Sequence, residues 1–430
     1  MTATASPVSV PAVPPQDIAV IGAGIVGIAT ALTLQGEGHR VTLIDPRDPG
    51  SATSFGNAGV IANSGVTPVA MPGLWRKVPG MLMDPDSYLQ VRWSYLPRLF
   101  PWLWRFLLAS TPGEVERLTA ELAPLVLPSF AAHDALLRRY AIDGIVSRVG
   151  WLKVYSQAGF DDHARERDLW RRNGVKFDEL NADELRQLEP ALSRGFERAI
   201  FHPDAAFVST PLRLSQAYVH AFRAGGGGFS RERVTAIAVG GGGAPEVTTD
   251  KSTRRFDRAV IAAGSWSKPL AAMLGARVPL DTERGYHIYL KTGGGARLTR
   301  PTLISDHGFV MAPMEDGIRV TSGVEFAGLD APPDYARVRR VATLAQKALQ
   351  PGVLAGTDGA PEREWLGFRP SLPDSKPVIG PAPASERVLL AFGHGHLGLT
   401  LSAITGRCVA DLIAGRKPSI PLAPFSATRF

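Results

Sequence analysis

A glycine-rich turn near the amino terminus has the residue types that bind a pyrophosphate. The turn consists of Gly22, Ala23, Gly24, Ile25, Val26 and Gly27. Gly22 permits a tight turn out of a strand, Gly24 has no Cβ to keep the backbone from a phosphate, and Gly27 lets a helix pack closely on the strand. A helix that starts here presents free N–H groups and its positive dipole end to the phosphates. The spacing therefore predicts a bound dinucleotide.

The elements on either side of the turn agree with this chemistry. Residues 17–21 have the pattern of an apolar strand, residues 28–34 continue as a helix, and residues 41–44 form a second apolar run that ends at Asp45. Asp45 follows Gly27 by 18 residues, about where a carboxylate binds a ribose hydroxyl. An acid at this place disfavours the 2′-phosphate of NADP. The alternative is a glycine-rich turn in an ordinary βαβ unit, and the motif alone does not separate FAD from NAD.

Later segments read as parts of the same domain and of a second sheet. Residues 258–266 form a buried strand and a small-residue turn, and residues 278–324 alternate like antiparallel strands. Residues 388–414 read as a strand, a glycine and histidine turn, and a helix. Because a βαβ unit opens the chain and a strand, turn and helix close it, we expect one discontinuous dinucleotide domain with the sheet inserted.

We therefore predict an α/β fold in which a Rossmann-like cofactor domain is interleaved with an α+β substrate domain built on an antiparallel sheet. Residues 1–16 are rich in Pro, Ala, Ser and Thr, and we expect a disordered tail there. The cofactor domain is predicted to comprise residues 17–88, 191–270 and 366–430. The substrate domain is predicted to comprise residues 89–190 and 271–365.

Composition excludes several classes of protein. The chain has 430 residues and a net charge of +7, with basic residues scattered and in no nucleic-acid motif, so we expect no nucleic-acid partner. A single cysteine, Cys408, excludes a disulfide framework and fits a reducing, cytoplasmic compartment. No His/Cys/Asp cluster has metal-ligand spacing, and no metal is expected. The first 16 residues lack a signal-peptide pattern, and no apolar run is long enough to span a bilayer.

A tryptophan-rich segment at residues 93–108 has two interpretations. It is either a buried helix of the substrate domain or a surface helix that touches a membrane. Arg98 and Arg105 interrupt the segment, which argues against insertion into the bilayer and leaves surface contact open. Under the second interpretation, the protein is peripheral at the inner face of the cell membrane.

Four distant segments of the chain have recognisable motifs. They are residues 20–27, the Ala-Ala-Gly turn at 262–264, the Arg-Pro-Ser-Leu-Pro-Asp-Ser-Lys-Pro-Val-Ile-Gly stretch at 369–380, and Gly-His-Gly-His-Leu-Gly-Leu-Thr at 393–400. In this order, they resemble the D-amino acid oxidase/dehydrogenase superfamily of FAD enzymes. The resemblance covers nearly the whole chain after residue 16. It is closest to the bacterial D-amino acid dehydrogenase branch, which has a similar Ser-x-x-Asn-Ala-Gly stretch after the second strand, here at 54–59.

The resemblance implies a glutathione-reductase type of cofactor domain with noncovalently bound FAD. Beyond the turn at 22–27, its flavin-contacting positions correspond to Asp45, Pro46, Thr53, Ser54, Asn57, Ala58, Gly59, Val60, Val234, Ala263, Gly264, His394, Gly395, His396, Leu397, Gly398, Leu399 and Thr400. A helix starting after residues 393–398 would direct its N-terminus at the flavin ring and stabilise the anionic reduced form.

The resemblance also assigns residues to the substrate. In amino-acid-oxidising relatives, an arginine at the position of Arg369 binds the substrate carboxylate, as a bidentate fork should. Related glycine oxidases add a second arginine where this chain has His396, so a clamp of two arginines is not expected. Tyr286 corresponds to a position that reaches the carboxylate, and His287 is expected to line the pocket. The alternatives are a structural ion pair for Arg369 and a turn role for His394 and His396.

These expectations combine into one activity. The resemblance implies oxidation of a D-amino acid, D-proline and hydroxy-D-proline included, by transfer of a hydride from Cα to flavin N5. The alternatives are a glycine- or sarcosine-type oxidase of secondary amines, a non-catalytic FAD-binding subunit of an amine dehydrogenase complex, and an NAD-dependent dehydrogenase. The substrate is a small amino acid or amine, and the electron acceptor is either a quinone or oxygen.

Overall fold

The computed structural model describes residues 14–84, 87–355 and 363–430. Most of the predicted tail at 1–16 lies outside these residues. Gln16, at its end, is ordered by a hydrogen bond that Arg258 Nε donates to its side-chain oxygen at 2.9 Å. The strands are β1 (Asp17–Ile21), β2 (Arg40–Ile44), β3 (Val60–Ile61), β4 (Leu89–Val91), β5 (Val146–Ser147), β6 (Trp151–Tyr155), β7 (Asp178–Asn181), β8 (Arg198–His202), β9 (Ala206–Val208), β10 (Gly228–Ser230), β11 (Val234–Val239), β12 (Pro245–Thr249), β13 (Thr253–Arg255), β14 (Arg258–Ile261), β15 (Asp281–Leu290), β16 (Thr302–Ile304), β17 (Phe309–Met314), β18 (Gly317–Phe326), β19 (Glu364–Ser371), β20 (Val378–Ala382) and β21 (Ser385–Phe392).

The helices connect and cover these strands. They are α1 (Ile25–Gly36), α2 (Leu74–Met83), α3 (Leu96–Ala109), α4 (Pro112–Val126), α5 (Ser129–Arg139), α6 (Gln157–Asp162), α7 (Ala164–Arg172), α8 (Ala182–Leu188), α9 (Pro211–Ala224), α10 (Ser267–Met273), α11 (Ala336–Lys347) and α12 (Gly398–Ile413). None of the helices in the described part of the chain is both long and apolar enough to cross a membrane.

A six-stranded sheet forms the centre of the half of the molecule that is predicted to bind the cofactor, called the cofactor half below. Its strand order is β10-β2-β1-β14-β21-β20, and every neighbouring pair is parallel except β20 with β21. The inner strands β1 and β14 are short, buried runs of Ile, Val and Ala, as expected where both faces of a parallel sheet are covered. The sheet thereby joins the first βαβ unit to the last strand and helix of the chain, as predicted.

Helices α1 and α12 cover this sheet side by side. They approach so closely that a Cβ on Gly406 would lie 3.1 Å from the carbonyl oxygen of Ala29. Helix α5 packs against α12 as well, and side chains from α4 and α5 join the core of the cofactor half. The N-termini of α1 and α12 both follow a strand of the sheet, so the carboxyl edge of the sheet presents two helix starts.

A nine-stranded sheet forms the other half. Its main order is β19-β15-β18-β17-β16-β6-β8-β7, with β4 pairing along β18. The strands are mostly antiparallel, and α11 packs on the face that carries Tyr286 and Ile288. The opposite face of β15 carries Glu283 and His287, which are also buried. The predicted α/β architecture, with a parallel sheet and an antiparallel sheet interleaved along the chain, is confirmed.

The sequence-based domain boundaries differ from the strand pairing at three places. Strand β8 lies within the predicted cofactor segment 191–270 but pairs with β6 and β7 of the large sheet. Strand β19 crosses the boundary at residue 366 and pairs with β15 throughout. Helices α4 and α5 lie in the predicted substrate segment 89–190 but pack on α12. Hydrogen bonding and apolar packing between distant segments set these positions, and local sequence does not report them. The division of the chain into two domains remains a proposal.

The buried His133 makes the stability of this packing dependent on pH. Its Nε2 lies 2.8 Å from the carbonyl oxygen of Leu399, and its Nδ1 lies 3.1 Å from the hydroxyl of Tyr218. Burial lowers the pKa of His133 to about 4, although the backbone contacts oppose the shift. A histidine in the unfolded chain has a pKa of about 6.5. The contribution of neutral His133 to the free energy of unfolding is therefore complete above that pH and is lost as the pH falls toward 4.

We expect His133→Gln to flatten this dependence. Between pH 6 and pH 4.5 the slope of the unfolding free energy should fall by about 1.4 kcal/mol per pH unit, because one proton fewer binds on unfolding. Urea unfolding at a series of pH values measures the slope. The same slope in the variant and the wild type would contradict a neutral, buried His133.

Candidate functional site

The glycines of the turn at 22–27 have different structural roles. Gly22 has a positive φ of 106°, and a Cβ on it would overlap the carbonyl of Ala262. A Cβ on Gly27 would overlap the carbonyl oxygen of Gly22. Gly24 has φ −74° and ψ 172°, and its nearest neighbour to a Cβ would be Ser54 Oγ at 3.4 Å. The fold therefore requires Gly22 and Gly27, whereas Gly24 leaves open space that suits a ligand.

The N-terminus of α1 is prepared for an anion. Gly24 at the N-cap position has no side chain to cap the helix, and no acid lies in the first turn. Ser54 Oγ accepts a hydrogen bond from the Ile25 N–H at 2.9 Å, and Asp45 Oδ2 accepts one from the Ala23 N–H at 2.9 Å. Asp45 thus lies directly beside the turn, at the end of β2, where a ribose hydroxyl would meet it. Val26 is the second residue of α1, and the half-buried Pro46 follows Asp45 in the chain. These residues fit the diphosphate and ribose of a dinucleotide.

The segment at 51–62 connects this turn to the start of α12. Thr400 Oγ1 accepts from the Ala62 N–H at 3.2 Å and donates to the Val60 carbonyl at 3.3 Å. A Cβ on Gly65 would lie 2.7 Å from Leu397 Cδ2. Gly398 begins α12, and Leu399 is buried behind it. Residues predicted to contact one cofactor from two ends of the chain are therefore neighbours.

Small side chains keep this connecting segment in place. Asn57 Oδ1 accepts from the Gly59 N–H at 2.7 Å. Gly59 has a positive φ of 72°, and a Cβ on it would overlap the carbonyl oxygen of Val208. Ala58 lies between them. Thr53 Oγ1 donates to the carbonyl of Phe368 at 3.0 Å and accepts from its N–H at 3.2 Å. The segment therefore contacts the large sheet one residue before Arg369.

Three more predicted cofactor residues border the same edge of the six-stranded sheet. Ala263 and Gly264 form the turn that follows β14, and Gly264 has a positive φ of 56°. Val234 begins β11 and packs, like Ala263, against the apolar cluster that includes Ile21 and Ile44. All three lie beside the ends of β1 and β2, from which the glycine turn and Asp45 extend.

Arg369 has an acid nearby but forms no ion pair with it. It lies on β19 opposite Glu283, and its Nη1 donates to the Gly323 carbonyl at 2.9 Å. No ion pair joins it to a carboxylate among the residues described, since the Glu283 side chain accepts instead from Ser371 Oγ at 2.6 Å. Burial lowers the pKa of Arg369, and the negative charge of Glu283 only partly opposes this. A Cβ on Gly285 would overlap the guanidinium, so this glycine makes room for it.

His396 and His394 differ in exposure. His396 is accessible to solvent although protein surrounds it, and it lines a cavity together with Glu283 and His394. Burial lowers the pKa of His396 to about 4, assisted by the positive charges of Arg369 and Lys153. His394 is buried, with its Nε2 3.0 Å from Thr405 Oγ1, and burial lowers its pKa to about 3. Both rings are neutral at neutral pH, and Gly395 between them has a positive φ of 52°.

His287 lies on the face of β15 that meets the connecting segment. Its Nδ1 is 3.1 Å from the carbonyl oxygen of Gly56, and its ring stacks on Trp365 at 4.8 Å. Burial, followed by the charge of Arg319, lowers its pKa to about 3. His287 is therefore a neutral residue that contacts the connecting segment at Gly56, and its place in the substrate pocket remains a prediction.

Sequence reasoning missed two residues of this face. Trp365 fills the space beside Gly56, where a Cβ would overlap its ring, and Glu283 lies buried next to Arg369. Residues 365, 367 and 369 alternate along β19 and share one face with residues 283, 285 and 287 of β15. The alternation of side chains along these strands, with a period of two, was the sequence signal that could have placed both residues on this face.

Tyr286 does not join Arg369. Its hydroxyl donates to Glu325 Oε2 at 2.6 Å and accepts from the Asp334 N–H at 3.2 Å, on the face that packs against α11. The register of β15 and β18 shifts between Arg284 and Tyr286, and the tyrosine side chain points away from His287. The structure therefore places Tyr286 in a buried polar network, on the face of β15 opposite to the one that Arg369 shares.

We expect Tyr286→Phe to change stability and to leave substrate binding nearly unchanged. The variant loses a hydrogen bond to a buried carboxylate, which costs about 1.5–3 kcal/mol. The KM should stay within about threefold of the wild type, because a bound carboxylate makes no contact with this hydroxyl. Urea unfolding and steady-state kinetics measure the two effects. A KM raised tenfold or more, at unchanged stability, would restore the tyrosine to the substrate site.

The comparisons with known proteins agree with this geometry. The family model described as FAD dependent oxidoreductase (DAO) matches residues 17–412. This chain belongs to that family. It is therefore an FAD-dependent oxidoreductase. The predicted family and cofactor are confirmed.

Curated relatives cover nearly the whole chain. A D-amino-acid oxidase of Bradyrhizobium diazoefficiens is 39% identical over 421 residues, covering 96% of this chain and 99% of the relative. D-amino acid dehydrogenase 2 of Ralstonia nicotianae is 36% identical, covering 96% of this chain and 100% of the relative.

Solved structures share the fold at lower identity. Glycine oxidase from Geobacillus kaustophilus superposes with a TM-score of 0.75 at 23% identity, covering 97% of this chain and 99% of that one. L-proline dehydrogenase from P. horikoshii gives a TM-score of 0.73 at 18% identity, covering 97% and 98%. These similarities confirm the mixed α/β fold.

Proposed function

We propose that this flavoenzyme oxidises D-amino acids whose carboxylate is bound by Arg369. The observation that carries the proposal is the half-buried guanidinium of Arg369, which forms no ion pair with a carboxylate in the described part of the chain, beside the accessible His396. A buried cation is costly without an anion, and a planar guanidinium matches a carboxylate in two hydrogen bonds. The names of the curated relatives, a D-amino-acid oxidase and a D-amino acid dehydrogenase, support the same substrate class.

The side chains around Arg369 suit an uncharged amine and a dry reaction. When bound, FAD accepts the two electrons of the substrate Cα–H bond as a hydride. His396 and His287 are neutral, so neither repels the amine nor supplies a proton at neutral pH. Trp365 and His287 stack on each other on the face of the sheet that Arg369 shares, where they would limit the access of water. Positioning of the substrate supplies most of the catalysis in this scheme.

We further propose that the substrate is a cyclic D-amino acid. D-Proline or hydroxy-D-proline would carry the carboxylate to Arg369 and hold a secondary amine in a rigid ring. The alternative is a glycine- or sarcosine-type oxidase, in which the same arginine binds a smaller substrate. A non-catalytic FAD-binding subunit is the third candidate, and it predicts bound flavin that no amine reduces.

An anaerobic screen of the purified protein distinguishes these candidates. Flavin absorbance is followed after adding D-proline, hydroxy-D-proline, D-alanine, glycine or sarcosine, and the screen is repeated with an artificial electron acceptor under turnover. Bleaching by D-amino acids supports the proposal. Bleaching by glycine or sarcosine alone would establish the alternative, and no bleaching by any of them would favour the subunit.

The attachment of FAD and the electron acceptor are further proposals. We propose noncovalent FAD, because residues 51–62 contain neither histidine nor cysteine and Cys408 is buried within α12. All flavin should enter the supernatant after acid precipitation, and flavin retained in the pellet would contradict this.

For the acceptor we propose a membrane quinone. Faster reoxidation of the reduced protein by a soluble quinone than by air-saturated buffer supports it, and the reverse order would establish oxygen.

A further inference from the structure

Helix α3 has one face that packs into the protein and one that is exposed and apolar. Leu99 and Trp102 are buried, and Trp102 stacks on Phe106 at 5.0 Å and contacts Phe326 at 5.1 Å. On the opposite side, Phe100 is 62% exposed and Trp104 is 55% exposed. The segment is therefore a helix that is buried on one side and exposed on the other.

The exposed apolar side chains form a continuous surface. Phe100, Trp104 and Leu108 recur every four residues along α3, and Trp93 lies on the turn just before the helix with 71% of its surface exposed. We call these four residues, with Arg98 and Arg105, the lipid face. Monomeric proteins rarely leave two tryptophans and a phenylalanine exposed on one short segment, so the surface is expected to have an occupant.

The charges on this surface identify the occupant. Arg98 and Arg105 are exposed on α3, and no acidic residue occurs between residues 87 and 113. A second copy of this chain would bring the same arginines together on a protein of net charge +7. An anionic lipid surface accepts both parts, since tryptophan rings partition to the headgroup level and arginines attract the phosphates. We infer that the lipid face docks α3 on the surface of an anionic bilayer.

The inner side of the same helix contacts the substrate site. Trp102 Nε1–H donates to the Ser371 carbonyl oxygen at 3.4 Å, and Ser371 Oγ donates to Glu283, the residue opposite Arg369. A bilayer on the outer side therefore lies about one helix diameter, roughly 10 Å, from β19. An electron acceptor dissolved in lipid would reach the protein next to the site. The docking itself does not rest on the proposed function, because vesicle binding is measured without turnover.

Vesicle sedimentation of the FAD-bound protein tests the inference. Wild type should sediment with vesicles of phosphatidylcholine containing about 30 mol% phosphatidylglycerol, and less with phosphatidylcholine alone. R98Q/R105Q should bind the anionic vesicles about 30-fold more weakly, since each arginine near the surface contributes about fivefold. F100S/W104S should bind at least tenfold more weakly to both compositions, because it removes the side chains that enter the interface.

Two variants away from α3 serve as controls. R40Q/R277Q removes the same charge from exposed positions elsewhere, and M273S removes an exposed apolar side chain from α10. Both should bind like wild type, and all variants should keep their flavin and their melting temperature.

Three results would overturn the inference. They are no binding of wild type to anionic vesicles, equal loss in the control variants, and a wild-type dimer that F100S/W104S converts to a monomer without any vesicle binding. The last result would assign the surface to a second copy of the chain.

Discussion

Replacing Arg369 by methionine is expected to lower kcat/KM for the D-amino acid substrate by about a thousandfold. Methionine keeps much of the apolar stem and removes the two donors that would bind the carboxylate. Most of the effect should fall on KM, because the carboxylate is bound in the ground state and the transition state alike. Steady-state kinetics with a saturating electron acceptor measure both constants.

Arg369→Lys is the matched control, and stability is the readout that separates the two roles of this residue. Lysine keeps the charge without the fork and should recover part of the lost kcat/KM. Flavin content should stay at the wild-type level in both variants, since Arg369 lies on β19 and the pyrophosphate turn lies at residues 22–27. Because Arg369 is half-buried and forms no ion pair in the described part of the chain, its removal should leave the melting temperature close to the wild-type value. A lower melting temperature with an unchanged KM would show that Arg369 is structural.

Replacing Gly24 by alanine is expected to weaken FAD binding about a hundredfold and to leave the fold intact. The backbone of Gly24 is extended, with φ −74° and ψ 172°, so an alanine is not strained there. Its Cβ would meet only Ser54 Oγ at 3.4 Å, but it would project into the space that the pyrophosphate needs. Titration of the apoprotein with FAD gives the affinity, and thermal unfolding of the apoprotein gives the stability.

Gly27→Ala provides the contrast. A Cβ on Gly27 would overlap the carbonyl oxygen of Gly22, so this variant should lose stability as an apoprotein as well as affinity for FAD. The pair separates a glycine that the fold requires from a glycine that the ligand requires. Wild-type FAD affinity in the Gly24 variant would place the pyrophosphate elsewhere.

The cofactor half was predictable because its signals are local. The turn at 22–27, the strands beside it and Asp45 all lie within thirty residues, and each residue type there has a steric or electrostatic reason. The closing strand and helix have the same character. Their adjacency to the first βαβ unit follows from the general topology of such folds.

The half built on the nine-stranded sheet was less predictable, because the pairing and facing of its strands decide which side chains come into contact. Tyr286 and His287 are neighbours in sequence but point to opposite faces of β15, so the tyrosine reaches Glu325 while the histidine stacks on Trp365. Nearly every residue of β15 is buried on either face, so polarity gives no hint of its orientation. The contact of Thr53 with Phe368 joins positions 315 residues apart, which no local pattern reports.

The most direct test of the account is anaerobic reduction of the bound flavin by the two enantiomers of one amino acid. The purified yellow protein is mixed with D-proline or L-proline without oxygen, in the wild type and in Arg369→Met, and the flavin absorbance is followed in time. The account predicts rapid bleaching of the wild type by the D-enantiomer, slow or absent bleaching by the L-enantiomer, and loss of the fast phase in the variant at the same substrate concentration. D-Alanine and L-alanine are tested in the same way, so that a preference against cyclic substrates does not count against the central claim. Equal bleaching by both enantiomers, or a fast phase that persists in Arg369→Met, would contradict oxidation of a D-amino acid anchored by this arginine.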